Sequence, residues 1–212
     1  MRSTIAGIAV PDSVLAREAA ELLRDVATDL LFAHSQRVFL WGALQGERLG
    51  LDYDPELLYV GAMFHDIGLL DGHRSADERF EVDGANAARA FLEGHGVPEE
   101  QVGTVWESIA LHTTRDIPRY RRPEVQLVQL GTQYDVLGMF YDTLSEEQRA
   151  AVLSAHPRPG FKAGIIEAFV AGIGDKPETA FGTVNADYLE DSLPGYVRPN
   201  VCDVIRGSAF AS

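Results

Sequence analysis

The sequence predicts an all-α protein: a single-domain helical bundle with an irregular C-terminal arm. Apolar residues return at three- and four-residue steps along most of the chain, the spacing that lines one face of a helix. The runs are separated by helix punctuation, such as Asp54-Pro55 at a start, Gly50 and Gly96 at ends, and Ser145-Glu-Glu-Gln148 as a capping box. Period-two alternation, the mark of a half-buried strand, never persists beyond a few residues.

In chain order, Asp12 reads as the cap of a helix spanning 12–31, with Leu15, Ala19, Leu22, Leu23 and Val26 on its apolar stripe. A second pattern runs from about His34 to Arg48 and stops at Gly50. Asp54-Pro55 opens a helix that ends in FHDIG, where Gly68 is read as the break. Residues 71–82 are polar and read as loop. Asp83 to His95 forms the next helix, and Pro98 starts another that reaches about His112. A charged loop, Arg115 to Pro123, leads into a helix through Tyr134 and Leu137. Short helices follow over 145–155 and 160–173, separated by Pro157 and Pro159. From Lys176 onward the chain is expected to pack as an irregular arm, or to end in disorder after about Arg206.

The 212 residues suit one domain, 1–212, with a core over about 30–175, the helix 12–31 packed on it, and a C-terminal extension over 176–212. A net charge of −14 argues against nucleic acid or an anionic membrane as the main partner and leaves a small molecule. The single cysteine, Cys202, cannot form an intramolecular disulfide and fits a reducing compartment. The apolar patch in MRSTIAGIAVPDS is too short for a signal-peptide core, and no stretch approaches a membrane span. A cytoplasmic location is expected.

Five polar residues stand on otherwise apolar helical segments: His34, the pair His65-Asp66, His112 in IALHTT, and Asp135 in QYDVLG. Each taken singly could be a satisfied core residue. Together, imidazole and carboxylate donors from three helices could close on one first-row divalent ion inside a bundle. Residues one apart on a helix point about 100° from each other, so a His-Asp pair shares an ion most easily near a helix end. Two His and two Asp would leave positions open for water, which distinguishes a catalytic from a closed structural site.

The order His, His-Asp, Asp resembles the HD superfamily of metal-dependent hydrolases and lyases, whose defining ligands fall here on His34, His65, Asp66 and Asp135. HSQRVFLWG (34–42), FHDIG (64–68), LVQLGTQYDVLG (127–138) and HPRPGF (156–161) are similar, in order and in spacing, to the cyanamide hydratase branch, across roughly residues 30–175. The resemblance implies one divalent transition metal, zinc or iron, with manganese or cobalt compatible with the same donors. It also implies water activation for attack on a nitrile-type small molecule, and association into a homo-oligomer. Two departures matter. RFEVDGA (79–85) carries Phe80 and Glu81 where binuclear members place an extra His, which favours one ion. Leu69 and Leu70 follow the pair where some nucleotidases carry an acid, the nearest here being Asp71.

His112 is the candidate for proton transfer, with a role as a further ligand or substrate contact left open, and Asp66 counts with it among the catalytic residues. Arg37, one turn after His34, could hold an anionic substrate group or pair with Asp135 or Glu81. Trp41, Leu69, His73 and Thr113 are candidate substrate contacts, as pocket wall or lid; for Trp41, Phe64, Trp106 and Tyr134 plain core packing is the competing account. Two other functions stay open: phosphohydrolysis of a nucleotide or other phosphomonoester, and non-catalytic metal-dependent binding. Phosphoryl chemistry asks for converging cations, here only Arg37, Arg74 and the Arg115–Arg122 loop.

Overall fold

The computed structural model describes residues 3–209. It opens with two short antiparallel strands, Thr4–Ile5 (β1) and Ile8–Ala9 (β2). Everything after them is helical or connecting chain, so the all-α reading holds. The expected helix over 12–31 is in fact two. α1, Val14–Val26, is capped by Ser13 rather than Asp12, because the Ser13 hydroxyl accepts from Ala16 N–H at 3.0 Å. The chain then turns extended at Ala27, and the Thr28 hydroxyl caps α2, Asp29–Leu49. The apolar spacing runs through this break because Leu23 and Leu31 are both buried.

α2 is the spine of the molecule. Every residue from His34 to Gly46 is buried, so the helix is covered on all sides. α3, Pro55–Phe64, starts behind Asp54, whose carboxylate accepts from the Glu56 and Leu57 amides. α4, Phe80–Gly94, begins three residues before the position read from sequence. α5 spans Glu99–Ala110, and α6, Pro123–Thr132, runs on into a π-helical turn, Gln133–Leu137. α7, Glu146–Ala155, carries the predicted Ser145/Gln148 capping box. α8, Phe161–Ile173, is followed by α9, Asn185–Ser192, and α10, Val201–Arg206.

Two apolar clusters organise these elements. The larger joins α1 to α6, with Val152 of α7; the smaller packs α8 and α9 against Leu31, Leu69 and Phe80. The C-terminal arm is therefore more ordered than expected over α9, where Ala186 and Leu189 are buried. Of the residues after Arg206, where disorder was the alternative expectation, the Gly207 and Ser208 amides bond the Asp203 and Ile205 carbonyls, and 210–212 lie outside the described residues.

Gly68 does not end α3, which stops at Phe64. It sits in a 3₁₀ turn, Ile67–Leu69, pressed against the start of α4. A Cβ there would stand 2.0 Å from the Phe80 carbonyl oxygen, so only glycine permits this approach. Gly131 plays the same part between α6 and α2, where a Cβ would meet the Val38 carbonyl at 2.2 Å. The Gly131 contact sets the distance between α2, which carries His34, and the segment that runs on to Asp135, and the Gly68 contact seats the His65-Asp66 turn on α4. No helix among the described residues is long and apolar enough to cross a membrane.

Candidate metal centre

His34 lies in the second turn of α2, His65 and Asp66 leave the end of α3, and His112 follows α5. All four are buried. They converge where the two apolar clusters meet: His34 packs on Phe161 and His112 on Phe80. His34 Nε2 stands 3.2 Å from His65 Nε2 and 3.5 Å from Asp66 Oδ2. His65 Nε2 is 3.1 Å from the same oxygen, and His112 Nε2 is 3.6 Å from Asp66 Oδ1.

The remaining ring nitrogens decide the chemistry. His65 Nδ1 faces the Ala62 carbonyl at 2.8 Å, His112 Nδ1 the Ile109 carbonyl at 2.6 Å, and His34 Nδ1 the Asp135 carboxylate at 2.7 Å. Each partner is an acceptor, so each neutral ring keeps its proton on Nδ1 and directs the Nε2 lone pair inward. Three lone pairs and a carboxylate thus face one another. Both Asp66 oxygens and His112 Nε2 lack an aligned hydrogen bond, although the imidazoles lie within ion-pair distance. Burying such acceptors together is costly unless a cation lies among them. One donor atom each from His34, His65 and Asp66 falls within 4.8 Å of the others. That span suits bonds of about 2.0–2.2 Å to a divalent ion.

Burial opposes charge throughout this group. For His34 it outweighs the attraction of Asp135 and lowers the imidazole below its ordinary value, leaving the neutral, coordinating form. For His65 burial is outweighed by the Asp66 carboxylate, which raises the imidazole above its ordinary value, and for Asp66 the same attraction overcomes burial and holds the carboxyl well below the usual carboxylate range.

Asp135, expected as a fourth ligand, is not brought into that group of three. It sits in the π-helical turn, a distortion often found at functional sites. Its Oδ2 receives His34 Nδ1–H and Arg37 Nη2–H at 2.9 Å; its Oδ1 receives Arg37 Nε–H and Trp41 Nε1–H, both at 2.9 Å. With two donors on each oxygen, the carboxylate is filled from behind His34. Arg37 is fully buried, and its Nη1 donates to the His156 and Pro157 carbonyls, which explains the HPRPGF loop: it clamps the Arg37–Asp135 pair. Arg37 therefore takes the pairing role that its position allowed, with all three of its nitrogens engaged by protein acceptors.

A cavity of about 380 Å³ opens onto His34 and His112, walled by Thr113, Phe169 and Tyr188 among others. Trp41 faces a different cavity beyond Asp135 and binds that carboxylate, while Leu69 packs against Gly172 and is not in the wall. His73 stays in the polar loop, with its amide on the Leu70 carbonyl, and is not in the wall either. Phe64 and Tyr134 are core, and half-buried Trp106 donates to Asn86. Phe169 and Tyr188 were missed as wall residues. Tyr188 comes from the arm, on a helix whose Ala186–Leu189 spacing was its only signal. Its hydroxyl, pushed up to about 12 by burial and then by the Asp66 charge, stays neutral.

Residues 31–137, half of the chain, match the HD domain family, and the chain belongs to that family. Among curated proteins it is similar to the cyanamide hydratases DDI2 and DDI3 of Saccharomyces cerevisiae. Each is 28% identical over 149 residues, covering 66% of this chain and 66% of the relative, so the match spans just under two thirds of the relatives' length.

Proposed function

We propose that this protein is a metal-dependent enzyme that activates water for attack on an uncharged carbon electrophile of nitrile type, in the manner of a hydratase. One observation carries the reading: a buried carboxylate, Asp66, and three inward imidazole nitrogens face one another without a donor. His34, His65 and Asp66 would hold the ion, zinc or iron by donor type, with manganese or cobalt compatible. Such an ion supplies Lewis acidity and lowers the pKa of water from 15.7 toward about 7.

The chain's own residues supply the rest. Asp135 and the Ala62 carbonyl orient His34 and His65, the support that fixes ligand tautomers. His112, with Nε2 free and Nδ1 anchored, is positioned to take a proton from water and return it to the substrate nitrogen. Phe80 and Phe161 shield the imidazoles from solvent. Net, one water adds across a carbon–nitrogen triple bond and gives an amide, urea in the case of cyanamide. A single ion is favoured because Glu81, at the position of the extra His of binuclear members, already accepts from Arg79, Thr113 and Asn185. An uncharged reacting group is favoured because Arg37 is held by Asp135, and Arg74 by Asp71 and Asp175, so of these arginines and the Arg115–Arg122 loop Arg115 alone borders the cavity with the imidazoles, fewer cations than phosphoryl chemistry asks for.

The test is metal analysis with turnover assays on cyanamide, small nitriles and nucleoside monophosphates. One ion per chain and amide formation, both lost in His65→Ala, are expected. Phosphate release dependent on His65 would replace this reading with phosphohydrolysis. Full metal occupancy without turnover would replace it with a binding role.

A further inference from the structure

The cavity at the imidazoles does not end where the reacting group would sit. Arg115, Gln133 and Met139 border both it and an adjoining groove of about 260 Å³, which also carries Arg48 and Arg119. The chain holds 18 basic against 32 acidic residues, yet this groove presents three arginines against one acid, Asp116. None of the three is neutralised by a carboxylate among the described residues. Arg48 Nε donates to the Gln45 side-chain oxygen, Arg119 lies over the Tyr120 ring, and the Arg115 side chain has no hydrogen bond or ion pair. The other acid nearby, Asp187 in the chamber wall, is paired with Arg198. Unpaired arginines in an acidic protein are a local reversal of its field, and their forked donors match carboxylate or phosphate oxygens.

Between this groove and the imidazoles the wall is largely apolar: Val136, Leu137, Met139, Phe169 and Tyr188. At about 380 Å³ the chamber falls within the range of sites for drug-sized ligands, whereas cyanamide is little larger than two waters, each about 30 Å³. Charge, apolarity and imidazole thus line two adjoining cavities that share Arg115, Gln133 and Met139.

We propose that the substrate is a small amphipathic acid: an anionic end group on Arg115, Arg48 and Arg119, an apolar spacer along Phe169, Tyr188 and Leu137, and an uncharged reacting end at His34 and His112. The identity of the reacting end rests on the hydratase reading above; the anion groove does not.

The experiment uses the metal-loaded protein with cyanohexanoate and its methyl ester as reactive probes, and heptanoate and heptyl phosphate as non-reacting ones. A preference for the acid over the ester of at least about tenfold in kcat/KM is expected, shrinking as salt is added. The preference falls toward one in Arg115→Gln and in Arg48→Gln/Arg119→Gln, all exposed positions where folding is not at stake. Calorimetric titration of heptanoate and heptyl phosphate distinguishes carboxylate from phosphate as the end group, and binding of the better probe weakens by a similar factor in the same variants. Turnover with no acid preference overturns the proposal and leaves the hydratase reading intact. No turnover of either nitrile, with probe binding that still depends on Arg115, overturns the hydratase reading and supports the groove. Absence of binding by either probe to the wild-type protein overturns the proposal.

Discussion

Two groups of buried charge lie close together in this molecule and are built on opposite terms. Around Asp83, Lys176 Nζ approaches Oδ2 at 2.6 Å and the Ser75 amide reaches the same oxygen at 3.0 Å. The lysine's other protons go to the Ser75 and Glu78 carbonyls. Glu81 likewise accepts from Arg79, Thr113 and Asn185. Around Asp66 no donor is aligned, and the nearest groups are imidazoles presenting lone pairs. The first group is complete within the protein and ties the polar loop 75–79 and the C-terminal arm to α4. The second has no such donors, and under the function proposed above a divalent ion completes it. Burial alone marks both; the count of satisfied oxygens separates a clasp from a site.

The largest effect expected from this contrast is on metal linkage. Removing the ion with a chelator destabilises the wild-type protein by about 4 kcal/mol when metal is present at a thousand times its dissociation constant. In Asp66→Asn, which leaves one ligand oxygen and removes its charge, melting curves with metal and with chelator coincide. If chelation shifts both proteins equally, the ion sits elsewhere and the contrast fails.

Lys176→Met should do the reverse. It leaves Asp83 buried without its cation, a loss of about 3–5 kcal/mol for a broken buried pair, read from denaturant unfolding. The chelator-dependent shift should remain, because no ligand is touched. A variant that loses its ion at full folding would make the clasp part of the site and erase the distinction.

The sequence made some of this plain and hid the rest for physical reasons. Local signals were legible: the Ser145 box and the Asp54-Pro55 start, because each rests on neighbours in the chain, whereas His34, His65 and Asp66, each compatible with plain core packing when taken singly, were joined by the resemblance to the HD superfamily. The Arg37–Asp135 pair was visible as one of two roles, since the two residues carry opposite charge, but only the fold shows all three arginine nitrogens engaged. Gly68 was misread as a helix stop because its contact is with Phe80, a neighbour only in space. α9 escaped because it is short and mostly polar, and Ala186, Tyr188 and Leu189 acquire meaning only against α8. Arg115 read as part of a charged loop, since nothing local places that loop at the mouth of the cavity.

The smallest expected effect concerns Glu81, and it sharpens the comparison because Thr113, its partner, follows His112 directly. Burial raises this carboxyl, but Arg79, His112 and Thr113 outweigh it and lower it below its ordinary value. A depressed folded-state value stabilises the protein above the unfolded value of about 4.3, and that contribution is lost as pH falls through the folded value. Glu81→Gln should therefore lower the melting temperature by a few degrees at neutral pH, with the gap from wild type shrinking as pH falls from about 4.3, the unfolded value, and closing below the depressed folded value. Arg79 is partly exposed, so added salt should shrink the gap as well. If the gap instead widened in acid, the Glu81 carboxyl would be protonated in the folded protein, and the cluster would be an unfinished site like that of Asp66 rather than a clasp.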